Sequence, residues 1–116
     1  MKLKGEAQLQ AAVVKYIQYN KLLFCASAGG VRVSSMYQAK LMKATGYVKG
    51  FPDVFIYEPN KKYYGLAIEL KVKGNYATAE QKKWLEQLNK KGYYAICLNN
   101  LDEVIDVINK YLNNGL

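Results

Sequence analysis

The chain contains no histidine. That absence excludes Ser-His-Asp and Cys-His catalysis, and any zinc site built on imidazole. Histidine acid/base chemistry near neutral pH goes with them. Cysteine is almost absent too: Cys25 and Cys97 are far apart, in the apolar stretches LLFC and YAIC. Two thiolates are too few for a zinc tetrahedron, so both are read as buried thiols behaving as small hydrophobes. A bound metal would therefore be a hard ion held by oxygen: Mg²⁺, Mn²⁺ or Ca²⁺. No stretch approaches the ~20 apolar residues that cross a bilayer. The opening segment MKLKGEAQLQ lacks the apolar core of a secretion signal. A cytoplasmic or host-intracellular protein, not secreted, is expected. No repeat, low-complexity tract or linker is visible, so residues 1–116 read as a single domain.

Half the chain, 51%, is hydrophobic, enough for a core. Lys plus Arg number 17 against 9 Asp plus Glu, a formal net charge of +8. A surplus of that size on a small domain attracts polyanions, although charge alone does not choose between nucleic acid and an anionic membrane.

The element order reads α-β-(α)-β-β-α-β-α, an α/β mixed sheet flanked by helices on both faces. Leu9, Val13 and Ile17 recur at helical spacing in a helix from about Glu6 to Asn20. LLFCAS is a short strand candidate, and residues 35–45 a weaker helix closed by Gly46. Pro52 and Pro59 bracket the strand DVFIY, and GLAIELK is a second, aliphatic strand. A helix from Thr78 to Lys91 is stopped by Gly92. The strand YYAICL follows, then a last helix with Val104, Ile105, Ile108 and Leu112 on one side.

The chemistry concentrates in GLAIELK. Strand side chains alternate, so Leu66, Ile68 and Leu70 share one face while Ala67, Glu69 and Lys71 share the other. If this strand pairs with DVFIY in a hairpin centred near Lys61, Asp53 falls opposite Glu69. Two carboxylates within ~5 Å repel unless a cation lies between them. Glu-x-Lys alone is more often a solvated cross-strand ion pair. Other residues add weight. Glu6 continues the Leu9, Val13, Ile17 stripe, although an acid in a first helical turn is also ordinary dipole chemistry. Gln81 lies on the stripe of Trp84, Leu85 and Leu88, and Thr78-Ala79-Glu80-Gln81 also matches a capping box.

Gly50-Phe51-Pro52-Asp53, then Glu69-Leu70-Lys71, then Gln81 before Trp84, with Glu6 in the first helix, resembles the PD-(D/E)XK nucleases. More specifically it resembles the virus-type replication-repair nuclease (VRR-NUC) domain, from Glu6 to about Leu98. The resemblance implies a restriction-endonuclease-like core and a metal-dependent endodeoxyribonuclease. Asp53, Glu69 and the backbone carbonyl of Leu70 would hold Mg²⁺ or Mn²⁺, with Glu6 reaching the ion through water or serving a second ion. Lys71 would orient or activate the attacking water, and Gln81 would support the site. Hydrolysis would leave a 5′-phosphate and a 3′-hydroxyl.

Setting three acids aside for the site leaves six against seventeen basic residues. Arg32, the single arginine, and Lys40, Lys43 and Lys49 are candidate phosphate contacts. Tyr47 and Tyr76 flank the motifs and are candidates for stacking on bases. So small a chain has little room for base-edge readout, so branched, flap or four-way junction DNA is the expected substrate, with RNA left open. Symmetric cutting of a junction would need a homodimer. The alternative is a catalytically silent nucleic-acid-binding protein with the same fold.

Overall fold

The computed structural model describes residues 3–27 and 35–116. In chain order it contains α1 (Gly5–Tyr19), β1 (Phe24–Ala26), α2 (Met36–Ala44), β2 (Val54–Ile56), β3 (Leu66–Leu70), α3 (Ala79–Lys90), β4 (Tyr94–Leu98) and α4 (Leu101–Leu112). This is the expected α/β order. The strands form one sheet in the order β1-β2-β3-β4. The β1/β2 and β2/β3 pairs are antiparallel and β3/β4 is parallel, so the sheet is mixed.

Alternation in β3 divides the interior in two. Leu66, Ile68 and Leu70 pack with Val13 and Ile17 of α1 and Val104, Ile108 and Tyr111 of α4. On the opposite face, Ala67 packs with Phe55, Ala95 and Leu88 of α3. Every residue of β3 is buried, because helices cover both of its faces.

The β2/β3 register follows from the turn between the strands. The Asn60 side-chain oxygen accepts the backbone N–H groups of Lys62 and Tyr63, at 2.9 and 2.7 Å. Its amide donates to the Tyr111 carbonyl at 2.9 Å, and Lys61 N–H donates to Asn114 Oδ1 at 2.8 Å. The turn is thus shaped by one Asx residue and tied to the end of α4. Val54 then pairs with Ile68 and Ile56 with Leu66, a hairpin centred on Lys61.

Two expectations are corrected. Cys25 is exposed and Cys97 only half-buried, so neither is a core thiol. Cys25 lies on a short edge strand that is covered less completely than β3. In α4 the deepest residue of the last turn is Tyr111 rather than Leu112, which is 36% exposed. The Tyr111 hydroxyl donates to the Glu58 carbonyl at 2.7 Å, which satisfies a phenol in the core. Burial and the nearby Glu58 charge push that phenol up to about 12.

Candidate active site

The segment before β2 is held against α3. Gly50 has φ +95°, and a Cβ there would come within 2.7 Å of the Glu80 backbone. Only glycine allows that approach. The Trp84 indole N–H donates to the Lys49 carbonyl at 3.1 Å, and Phe51 meets Trp84 edge-on at 5.1 Å. The chain enters β2 from this clamp through the buried Pro52. Asp53 follows, one residue beyond the last ladder pair, where the register brings it opposite Glu69. Its Oδ2 accepts the Leu70 N–H at 2.8 Å, and its carbonyl accepts the Ser27 N–H at 2.7 Å.

Carboxylate oxygens of Glu6, Asp53 and Glu69 all lie within 4.8 Å of one another. The three residues come from the first turn of α1, the lead-in to β2, and β3. The Lys71 ammonium is 3.6 Å from Glu6 Oε1 and 4.0 Å from Glu69 Oε2. Gln81 is shared. Its Oε1 accepts the Thr78 N–H at 2.8 Å, completing the capping box of α3, while its Nε2 donates to Glu69 Oε2 at 3.3 Å.

Glu69 is 1% exposed. Its Oε1 is buried without a hydrogen-bond partner. Desolvation is the main reason its carboxyl is raised from 4.5 to about 9; the hydrogen bond that its protonated form can give to Asp53 and repulsion from the Asp53 charge add to it, and Lys71 opposes it. Ionising all three acids would leave one ammonium facing three negative charges. The donor set contains oxygen alone, includes an unpartnered buried oxygen, and when fully ionised would carry two uncompensated negative charges. It fits a hard divalent cation.

The cluster opens into a cleft of about 240 Å³ that is also lined by Tyr47, Lys49 and Thr78. A second hollow of about 610 Å³ continues from Glu6 and Asp53 past Gln10, Val14 and Ser27. A third, about 530 Å³, lies beyond Lys71 and is lined by Lys73, Tyr76 and Lys82. Glu6 and Asp53 thus line both the cleft and the second hollow, and Lys71 lines both the cleft and the third.

Of the candidate phosphate contacts, Lys49 reaches the cleft, exposed and 3.9 Å from Glu80. Lys40 and Lys43 are exposed on α2 and do not line the cleft, and Tyr76 is 83% exposed in the loop before α3. Arg32 lies outside the described residues. Thr78 and Ser27 were not singled out from the sequence as lining the cleft or the second hollow. Thr78 was visible only as a helix cap, and nothing local marked Ser27.

Residues 4–100 match the model of the VRR-NUC domain family. The chain belongs to the VRR-NUC family. A solved VRR-NUC domain protein superposes with a TM-score of 0.80 at 31% identity, covering 97% of this chain and 91% of that one. A second solved VRR-NUC domain shares the fold with a TM-score of 0.62 at 16% identity, covering 91% of this chain and 96% of that one. No curated protein sequence matches. The VRR-NUC assignment makes this a nuclease-type domain with an α/β nuclease-like fold. No helix among the described residues is long and apolar enough to cross a membrane.

Proposed function

We propose that this VRR-NUC domain, residues 1–116 acting as one catalytic unit, is a Mg²⁺- or Mn²⁺-dependent endodeoxyribonuclease. The observation that carries the reading is the meeting of Glu6, Asp53 and Glu69 beside Lys71, with one buried Glu69 oxygen unpartnered. Asp53, Glu69 and the Leu70 carbonyl would hold the ion, and Glu6 would reach it through water or serve a second ion. When bound, the ion polarises the phosphodiester and acidifies the attacking water. Lys71 orients that water and offsets charge growing on the phosphate. Gln81 keeps Glu69 in place by donating to one of its oxygens.

Lys40, Lys43, Lys49 and Arg32 contact phosphates, and Tyr76 stacks on a base. The substrate is branched DNA, a flap or a four-way junction. Paired incision of a junction is made by a homodimer, with one site for each of the two strands cut.

The test is a cleavage panel of linear duplex, nicked, flap and four-way DNA with Mg²⁺, Mn²⁺ or EDTA. Wild type is expected to cut only with a divalent ion. Lys71→Ala is expected to lose at least ~10² in rate, the scale of removing one charge-stabilising group. Tight binding without incision in either metal would identify a silent binding protein instead.

A further inference from the structure

The α2 helix buries none of its residues. Its last turn nevertheless builds a defined hollow. Gly46, at φ +106°, lets the chain reverse, with Gly46 N–H donating to the Lys43 carbonyl at 3.3 Å and Tyr47 N–H to the Met42 carbonyl at 2.8 Å. This is the Schellman pattern, and it folds Tyr47 and Val48 back against α2. The resulting groove, about 510 Å³, has Ala39, Met42, Tyr47 and Val48 as its apolar lining and Lys43 and Lys49 as its cations. Its far rim is fixed by the Trp84–Lys49 hydrogen bond.

Two observations say what fills it. Tyr47 and Lys49 line both this groove and the acid-bearing cleft, so the two spaces share a wall. Residues 7–52 include six basic side chains and no acidic one. An occupant that is apolar on its faces, anionic at its edge and continuous with a strand in the cleft is a nucleotide. A base stacked inside a duplex cannot offer its face to such a floor, whereas an unpaired base can.

We propose that the groove receives an unpaired nucleotide adjacent to the scissile phosphate, its base against Tyr47, Met42 and Val48 and its phosphate between Lys43 and Lys49. This deepens the nuclease reading and rests on it. The substrate class becomes a strand with at least one unpaired residue beside the cut, such as a flap or fork, rather than continuous duplex.

The experiment uses the full chain in EDTA, which prevents cutting. The probe is DNA carrying a single 2-aminopurine, as perfect duplex or as a fork with that base unpaired at the branch. Wild type is expected to bind the fork more tightly and to change its emission, with no change on duplex. Val48→Asp and Lys43→Glu are expected to weaken fork binding roughly tenfold, the effect of losing one stacked base, and to erase the emission change. Tyr37→Ala, elsewhere on α2, is expected to leave fork binding unaltered. The variants alter exposed positions, so an unchanged Tm shows that they fold. Equal affinity for fork and duplex, or an emission change that survives both groove variants, overturns the proposal even if the protein cuts DNA. Groove-dependent fork selectivity in a protein that cuts nothing with Mg²⁺ or Mn²⁺ supports the groove and sinks the nuclease reading.

Discussion

At the residue scale, Glu69 is the buried acid of the cluster. Its carboxyl, raised from 4.5 to about 9, favours the protonated form in the metal-free protein. A group whose folded value exceeds its unfolded value contributes stability below the unfolded value and loses it as pH rises through the folded one. Metal-free protein is therefore expected to lose stability between about pH 4.5 and 9, with a slope of at most ~1.4 kcal/mol per pH unit for one proton. Chemical denaturation across that range checks this. Glu69→Gln should flatten the slope, and saturating Mg²⁺ should do the same for wild type. A slope unchanged by Glu69→Gln would assign the pH dependence to another group. The pairing of Asp53 with Glu69 was legible because the turn at Lys61 and strand alternation leave few registers, and odd-numbered positions stay together in those with an even sum. Ser27 was not legible, because a backbone contact to Asp53 leaves no mark on residue type.

At the element scale, the clamp between Gly50 and α3 places Asp53. Gly50→Ala would force a Cβ to within 2.7 Å of the Glu80 backbone at a φ of +95°. A loss of about 1–3 kcal/mol is expected from strain and overpacking, measurable by denaturant titration, together with a fall in cleavage rate as Asp53 shifts. The other helices and the strands were readable from their apolar periods, whereas α2, which buries none of its residues, gave a weaker pattern; Gly46 and Gly92 both mark reversals at positive φ. Edges were less readable. The LLFC run suggested a buried thiol, but β1 is a three-residue edge strand and Cys25 faces solvent. In α4 hydrophobicity favoured Leu112, whereas the hydroxyl of Tyr111 finds the Glu58 carbonyl and the ring takes the interior position.

Across the whole molecule, charge is partitioned. Three of nine acids converge on one cluster, and the long acid-free segment before Asp53 carries the groove and its lysines. Binding of DNA should weaken with salt, as counterions are released from neutralised phosphates. Replacing Lys43 by Ala is expected to reduce the slope of log affinity against log salt by about 1, with Lys110→Ala, which pairs with Asp106 at 3.0 Å, leaving it unchanged. Anisotropy titrations at several salt concentrations measure both. The net charge was plain from composition. Its placement around the site required the fold, because residues separated by dozens of positions supply the acids and the cations.

One amide, that of Gln81, both starts a helix and steadies the buried acid. Fraying of that first turn would let the carboxylate swing, so local unwinding and loss of turnover become the same event. Any replacement there changes folding and kinetics together, and a slow variant at this position is uninterpretable until its amide-exchange rates in the turn have been compared with wild type.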